Sequence, residues 1–155
     1  MTLDKLDHAI LNELQTNGRL SYAELGERIG LSKTPCWKRV QRLEQEGMIS
    51  GYRAEVNPRK VGLNFQVFLN MTIKHMKAEE FEAAIVKFDQ ITDCFAVAGD
   101  SDYLVTVVAS DIDEFDDLIR YKFPHLPGVE RISTTLTLRT IKSGGAIPIP
   151  GAKMG

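Results

Sequence analysis

Apolar residues recur at helical spacing through the first fifty positions, and after position 64 strand and helix spacing alternate. Leu3, Leu6, Ile10 and Leu14 stand three or four residues apart and predict a helix. Asp4 and Asp7 fall in its first turn, where the helix dipole favours negative charge, and Asn17-Gly18 ends it. Ser21 is followed three residues later by Glu24, a capping-box pattern, so a second helix starts near Ser21, carries Leu25 and Ile29, and stops at Gly30. Ser32 then caps a third helix, in which Cys36, Val40 and Leu43 share one apolar stripe. At about 100° per residue, Thr34, Lys38, Gln41, Arg42 and Gln45 fall on the opposite side, with Arg39 beside them. Trp37 borders the stripe and reads as a partly buried packing residue. The apolar and aromatic character of Met48 to Val56, interrupted by Ser50-Gly51, predicts a strand, and Asn57-Pro58-Arg59-Lys60 then breaks regular structure.

In the second half, Phe65, Val67, Leu69, Met71 and Ile73 alternate with Gln66, Phe68, Asn70, Thr72 and Lys74, which is the period of a strand. A helix follows from Ala78 with Phe81, Ala84, Ile85 and Phe88 on one stripe. Cys94 to Ala98 and Tyr103 to Ala109 read as strands around a Gly99-Asp100-Ser101-Asp102 turn. A second helix carries Ile112, Phe115 and Ile119 and ends before Phe123-Pro124, and Ile132 to Ile141 forms the last strand. The order βαββαβ is the ferredoxin-like arrangement. Two helices cover only one face of a four-stranded sheet, yet Tyr103 to Ala109 is apolar on both sides. A partner subunit packed sheet to sheet would cover the second face and give a dimer; the alternative is a monomer whose strand tolerates solvent on one side.

Composition changes this picture little. The 155 residues are 43% hydrophobic and 26% charged, as in an ordinary globular protein, and the net charge of −2 argues against a generally basic coat on nucleic acid. Positive charge is local: between positions 31 and 60, seven basic residues face three acidic ones. A local patch of that kind is what phosphate contact requires. Two cysteines, Cys36 and Cys94, are too few for a disulfide framework and read as buried apolar residues of a reducing cytosol. With His8, His75 and His125 scattered, no metal or cofactor is expected, and no Ser/His/Asp or Cys/His constellation suggests catalysis. No apolar run approaches membrane-spanning length, so a cytoplasmic location is expected.

Two capped helices joined by a tight turn, the second with exposed basic residues, present a helix to the major groove of duplex DNA. Thr34, Lys38, Gln41 and Arg42 are then candidates to read base edges. Lys33, Arg39 and Arg53 are candidates for backbone phosphates, and Ser32 joins the set at the helix start. The run Leu31-Ser32-Lys33-Thr34-Pro35-Cys36-Trp37-Lys38-Arg39-Val40, then Arg42-Leu43-Glu44, Gly47-Met48-Ile49 and Gly51-Tyr52, resembles the Lrp/AsnC (leucine-responsive/asparagine-responsive) family of transcriptional regulators. The likeness includes Leu3-Asp4-Lys5-Leu6-Asp7, Gly99-Asp100-Ser101-Asp102-Tyr103 and Leu126-Pro127-Gly128-Val129, in the family's order and spacing.

The resemblance implies an α+β chain. Residues 1–56 would form a winged helix-turn-helix and 64–142 a RAM effector-binding and oligomerisation domain; the break at Asn57-Pro58 makes 57–63 a linker, and the Gly- and Pro-rich composition of 143–155 reads as a tail that is disordered or draped over a neighbour. It implies DNA binding or assembly that responds to a small amino acid, with homodimers assembling into tetramers or octamers. Taken by itself, the Gly99 to Tyr103 segment is an ordinary turn or a place where a carboxylate and exposed amides hold a small zwitterion. The family binds its effectors around this turn, which implies Gly99, Asp100, Asp102 and Tyr103, with Phe95, Ile112, Thr134, Thr135 and Leu136 from flanking elements. Leucine-responsive members carry a tyrosine where this chain has Thr135, so leucine is not assumed as the effector. Two other classes compete: an architectural DNA protein, which the modest basic patch disfavours, and a small enzyme of amino-acid metabolism on the βαββαβ module, which lacks a catalytic constellation.

Overall fold

A computed structural model describes residues 2–150. The chain divides into two compact units, Met1–Glu55 with Lys142–Gly155, and Val56–Ile141.

The first unit contains α1 (Lys5–Thr16), α2 (Tyr22–Ile29) and α3 (Lys33–Gln45). Each helix starts where local chemistry supplies a substitute for a missing backbone partner, with one exception. Asp4 and Asp7 form a reciprocal capping box on α1, and Ser21 and Glu24 form another on α2. Ser32 occupies the N-cap position of α3, but its hydroxyl makes no capping bond, which corrects the expectation that it would. The core is Ile10, Leu11, Leu25, Cys36, Val40 and Leu43, with Leu3, Leu14, Ile29 and Ile49 packed around it. Leu6 is only half-buried, and the inward face of α1 is rotated toward Asp7 and His8, both buried.

The turn between α2 and α3 is tight for two glycine-dependent reasons. Gly30 takes φ of 74° at the end of α2, and at Gly26 a side-chain Cβ would lie 2.5 Å from the carbonyl oxygen of Leu31. That carbonyl belongs to backbone and has little room to retreat.

Met48 to Val56 was expected as a strand, but this segment is irregular and carries no ladder, and the amides of Met48 and Ile49 bond back to Leu43 O at the end of α3. All four described strands lie in the other unit, so it has no strand to pair with among the described residues. The tail also differs from expectation over its described part. Ile147 donates its amide to Gln15 Oε1 at 2.6 Å and accepts from Gln15 Nε2 at 3.2 Å, and Ile149 packs against the helical core. Residues 151–155 of the expected tail lie outside the described residues.

The second unit is a four-stranded antiparallel sheet, β1 (Phe65–Ile73), β2 (Ile91–Ala96), β3 (Tyr103–Ala109) and β4 (Val129–Leu136), in the order β2-β3-β1-β4. The helices are α4 (Ala78–Ile85) and α5 (Ile112–Asp117), giving the ferredoxin-like βαββαβ order. The last strand starts at Val129 and stops at Leu136, earlier than expected at both ends. One face of the sheet carries Val67, Leu69, Met71, Tyr103, Val105 and Val107 against Phe81, Ile85, Leu118 and Phe123. The second helix was expected to pack through Ile112, Phe115 and Ile119. Phe115 and Ile119 do pack against the core, but Ile112, the first residue of α5, is 54% exposed, and the π-helical turn Leu118–Lys122 that follows carries the buried Leu118.

Gly26→Ala should lower unfolding stability by about 1–3 kcal/mol, the range for overfilling a packed site. Urea denaturation followed by circular dichroism checks this, and a change under about 0.5 kcal/mol would contradict the close approach.

Candidate DNA interface and effector turn

On α3 the apolar stripe faces the core: Cys36, Val40 and Leu43 are buried, and they roll the helix so that Lys33, Thr34, Lys38 and Gln45 are exposed and Gln41 is half-buried. These polar side chains make no ion pair within the described residues. Trp37 is 38% exposed at the edge of the stripe, so it packs on one side only.

Arg39 and Arg42 sit differently, since both are ion-paired to carboxylates at the start of α1. Arg39 Nη1 lies 2.6 Å from Asp4 Oδ2 and 2.8 Å from Asp7 Oδ1. Arg42 Nη2 lies 2.6 Å from Asp7 Oδ2, and its Nε is buried with no partner among the described residues. Asp7 itself is 1% exposed. The physical reason is angular. Arg39 and Arg42, three residues apart, lie on the side of α3 that turns toward the start of α1, whereas Thr34, Lys38, Gln41 and Gln45 lie opposite the stripe or on its other flank. The capping bond from the Asp7 amide, with Arg39 next, holds the Asp4 carboxyl below its ordinary range, and the same pairing raises Arg39.

Beyond α3, the Tyr52 hydroxyl donates to Glu44 Oε1 at 2.9 Å. Burial, with the Glu44 carboxylate second, pushes the Tyr52 phenol up. Arg53 follows directly and is exposed, but on irregular backbone rather than on a strand.

The Gly99 to Tyr103 turn joins β2 to β3 and is tied to β1 through Asp102. The Asp102 amide donates to Met71 O at 3.0 Å, and its Oδ2 accepts from the Ile73 amide at 2.8 Å. That amide sits where a bulge shifts the β1–β4 register, so the carboxylate satisfies a donor at the irregularity. Arg131 Nη2 donates to Asp100 O at 2.9 Å. Tyr103 is buried on the helix side of the sheet, its ring 4.7 Å from that of Phe81 and tilted 45° to it, with its hydroxyl donating to Glu82 Oε1 at 2.7 Å. Burial and then Glu82 push its pKa up to about 12.

The nine candidate effector residues therefore do not line one side of the sheet. Tyr103, Thr134 and Leu136 lie in the helix-side rows, since Thr134 pairs with Leu69 and Leu136 with Val67. Phe95 and Thr135 lie on the open face, paired with Leu104 and Phe68. Gly99, Asp100 and Asp102 are in the exposed turn. Ile112 opens α5 beside the Asp111 cap, whose Oδ1 accepts from the Glu114 amide. The open face also carries Leu104, Thr106 and Val108 of β3, of which Thr106 and Val108 are buried within the single chain.

Sequence reasoning placed Asp7 in a helix first turn and missed its burial. The signal was the pair of acidic residues at i, i+3 facing two arginines at i, i+3. It missed Glu82 entirely, since nothing in the sequence links that residue to Tyr103 across twenty-one positions.

With this geometry established, comparison identifies the family. Residues 66–147 match the model of the Lrp/AsnC ligand binding domain, and residues 3–50 match that of a winged helix-turn-helix DNA-binding domain. The leucine-responsive regulatory protein of Salmonella typhimurium is 39% identical over 150 residues, covering 95% of this chain and 92% of that protein. The crystal structure of a Neisseria meningitidis transcriptional regulator in complex with L-Met superposes with a TM-score of 0.92 at 35% identity, covering 95% of this chain and 97% of that one. An AsnC family transcriptional regulator from Agrobacterium tumefaciens gives 0.87 at 30% identity, covering 94% and 97%. The chain belongs to the Lrp/AsnC family of transcriptional regulators, as the sequence motifs implied.

The raised Tyr103 pKa gives a signed expectation. Its folded-state value exceeds the ordinary value of 10.0, so the stability it contributes is complete below pH 10 and is lost as pH rises toward about 12. Tyr103→Phe should lower stability by ~1 kcal/mol at neutral pH and flatten the alkaline decline. Denaturant melts at several pH values check this, and an unchanged alkaline slope would contradict it.

Proposed function

We propose that the chain is a sequence-specific DNA-binding regulator whose binding or assembly responds to a small amino acid. The observation that carries this reading is the polar face of α3, where Thr34, Lys38, Gln41 and Gln45 stand away from the buried Cys36, Val40 and Leu43, with Lys33 exposed at the helix start. Gln41 and Thr34 suit base edges, while Lys33 and Lys38 suit phosphates or guanine. Arg53 and Ser32 are exposed and supply further backbone contacts. Residues 1–56 form the DNA-reading module and 64–142 the sensing module, joined by 57–63.

The family resemblance supports an amino-acid effector, and the L-Met bound to the Neisseria relative is of that class. We place it around the Gly99 to Tyr103 turn. The exposed Asp102 keeps one carboxylate oxygen, Oδ1, for an ammonium, and Phe95 and Thr135 face the open side of the sheet. A second copy covering that side would bury Phe95, which is 53% exposed, with Phe68 and Leu104, and would complete the site from two chains. The pair would set two recognition helices in two-fold relation, with further assembly into tetramers or octamers. No catalytic step, metal or cofactor is assigned. No described helix is long and apolar enough to cross a membrane, and we take the protein to work in the cytoplasm.

Fluorescence anisotropy with a duplex selected by this protein from a random-sequence pool, against a scrambled duplex, tests the reading. Gln41→Ala should cost about 1–3 kcal/mol on the selected duplex and little on the scrambled one, whereas Lys38→Ala should reduce the salt slope by about one if it grips phosphate. Adding each common amino acid in turn should shift the wild-type affinity for at least one of them, by about 1–3 kcal/mol of coupling. Equal affinity for both duplexes would favour an architectural protein, and no response to any amino acid would end the sensing role.

A further inference from the structure

We propose that Asp7 is a positioning residue for base recognition, and that Arg39 and Arg42 act through it rather than by touching DNA. This rests on the DNA-reading role of α3 and names what aims that helix.

Four charged groups alternate across the α1–α3 contact. Asp4 and Asp7, three residues apart on α1, face Arg39 and Arg42, three residues apart on α3. Arg39 bridges both carboxylates and Asp7 bridges both arginines, so the four form one continuous ladder. Asp7 is also held from behind, because its Oδ2 accepts the Asp4 amide at 3.1 Å while its own amide donates to Asp4 Oδ1 at 2.9 Å. Its carboxylate therefore has a fixed orientation before it meets the arginines.

What the ladder adds is direction. The apolar anchors of α3, Cys36, Val40 and Leu43, hold the helix to the core, but apolar burial is non-directional and tolerates rotation about the helix axis. Trp37 leaves the opposite flank partly open. The Arg39 hydrogen bond to the buried Asp7 carboxylate is charge-assisted and directional, Arg42 adds a second ion pair at 2.6 Å, and breaking either contact leaves the buried charge less compensated. A rotation of α3 by one residue's angle would swing Lys38 and Gln41 away from any base edge they read. It would also break both Asp7 contacts.

The test uses the full chain, the selected duplex, a scrambled duplex and every single-base-pair variant of the selected one. Asp7→Asn, folded by circular dichroism, should lose about tenfold or more on the selected duplex and less than about threefold on the scrambled one. Preference should weaken at all the base pairs read rather than at one, and Asp7→Glu should recover part of the loss. Arg42→Ala cuts the same ladder from the other side and serves if Asp7→Asn does not fold. It should show the same general loss of preference with the wild-type salt slope.

Loss of preference at a single base pair in Arg42→Ala, or a salt slope reduced by about one, would place Arg42 on the DNA and overturn the proposal. So would equal losses on selected and scrambled duplexes. If wild type does not discriminate between duplexes, the base-reading role falls and this proposal with it. If wild type discriminates and Asp7→Asn does so equally well, this proposal alone falls.

Discussion

A single carboxylate out of water, that of Asp7, organises the helical unit. It is nearly inaccessible, yet it meets two guanidinium groups and a backbone amide, and each partner comes from a segment that must be placed for DNA to be read. The apolar core of this unit is small: Ile10, Leu11, Leu25, Cys36, Val40 and Leu43. Such a core supplies cohesion but little orientation. In a low-dielectric contact, charge-assisted bonds are strong and directional, and they separate the basic residues of α3 into two groups with different work. Arg39 and Arg42 are half-buried and spent on ion pairs to α1 and its cap, while Lys33 and Lys38 are exposed and make no ion pair among the described residues.

The sheet unit applies a similar economy at its turn. Asp102 fastens the β2–β3 connection to the end of β1 with one backbone and one side-chain bond, so the Gly99 to Tyr103 segment is held in one place by the strand it faces. Tyr103 is turned inward and serves the core. The groups left for a ligand are on the turn and the open face, where Phe95, Leu104, Phe68 and Thr135 share neighbouring rows. A small molecule held there would stabilise whatever covers that face, which is how a sensing site acquires a differential affinity between assembly states.

Most of the architecture was legible in periodicity. The three helices, the alternation of β1 and the β3 strand from Tyr103 to Ala109 all follow from spacing and caps. The misses have physical causes. The segment Met48 to Val56 has strand-like composition but no partner strand in its own unit among the described residues, and composition does not reveal partners. Ile112 fits a 3.6-residue stripe with Phe115 and Ile119 but opens α5 and stays exposed, which a periodic count does not anticipate. For the site, the exposed side of α3 was readable from angles alone. The sequestration of Arg39 and Arg42 was not, because helical angles place them on a polar flank without saying that α1 brings Asp4 and Asp7 there. The splitting of Thr134, Thr135 and Leu136 between two faces follows from strand alternation, but resemblance had grouped them.

The structure of this chain on a selected duplex tests the central claim most directly. Lys38 and Gln41 should lie within hydrogen-bond distance of base edges or phosphates while Arg39 and Arg42 keep their contacts to Asp4 and Asp7. Arg42 withdrawn from Asp7 and bonded to DNA, with Lys38 and Gln41 facing solvent, would contradict it.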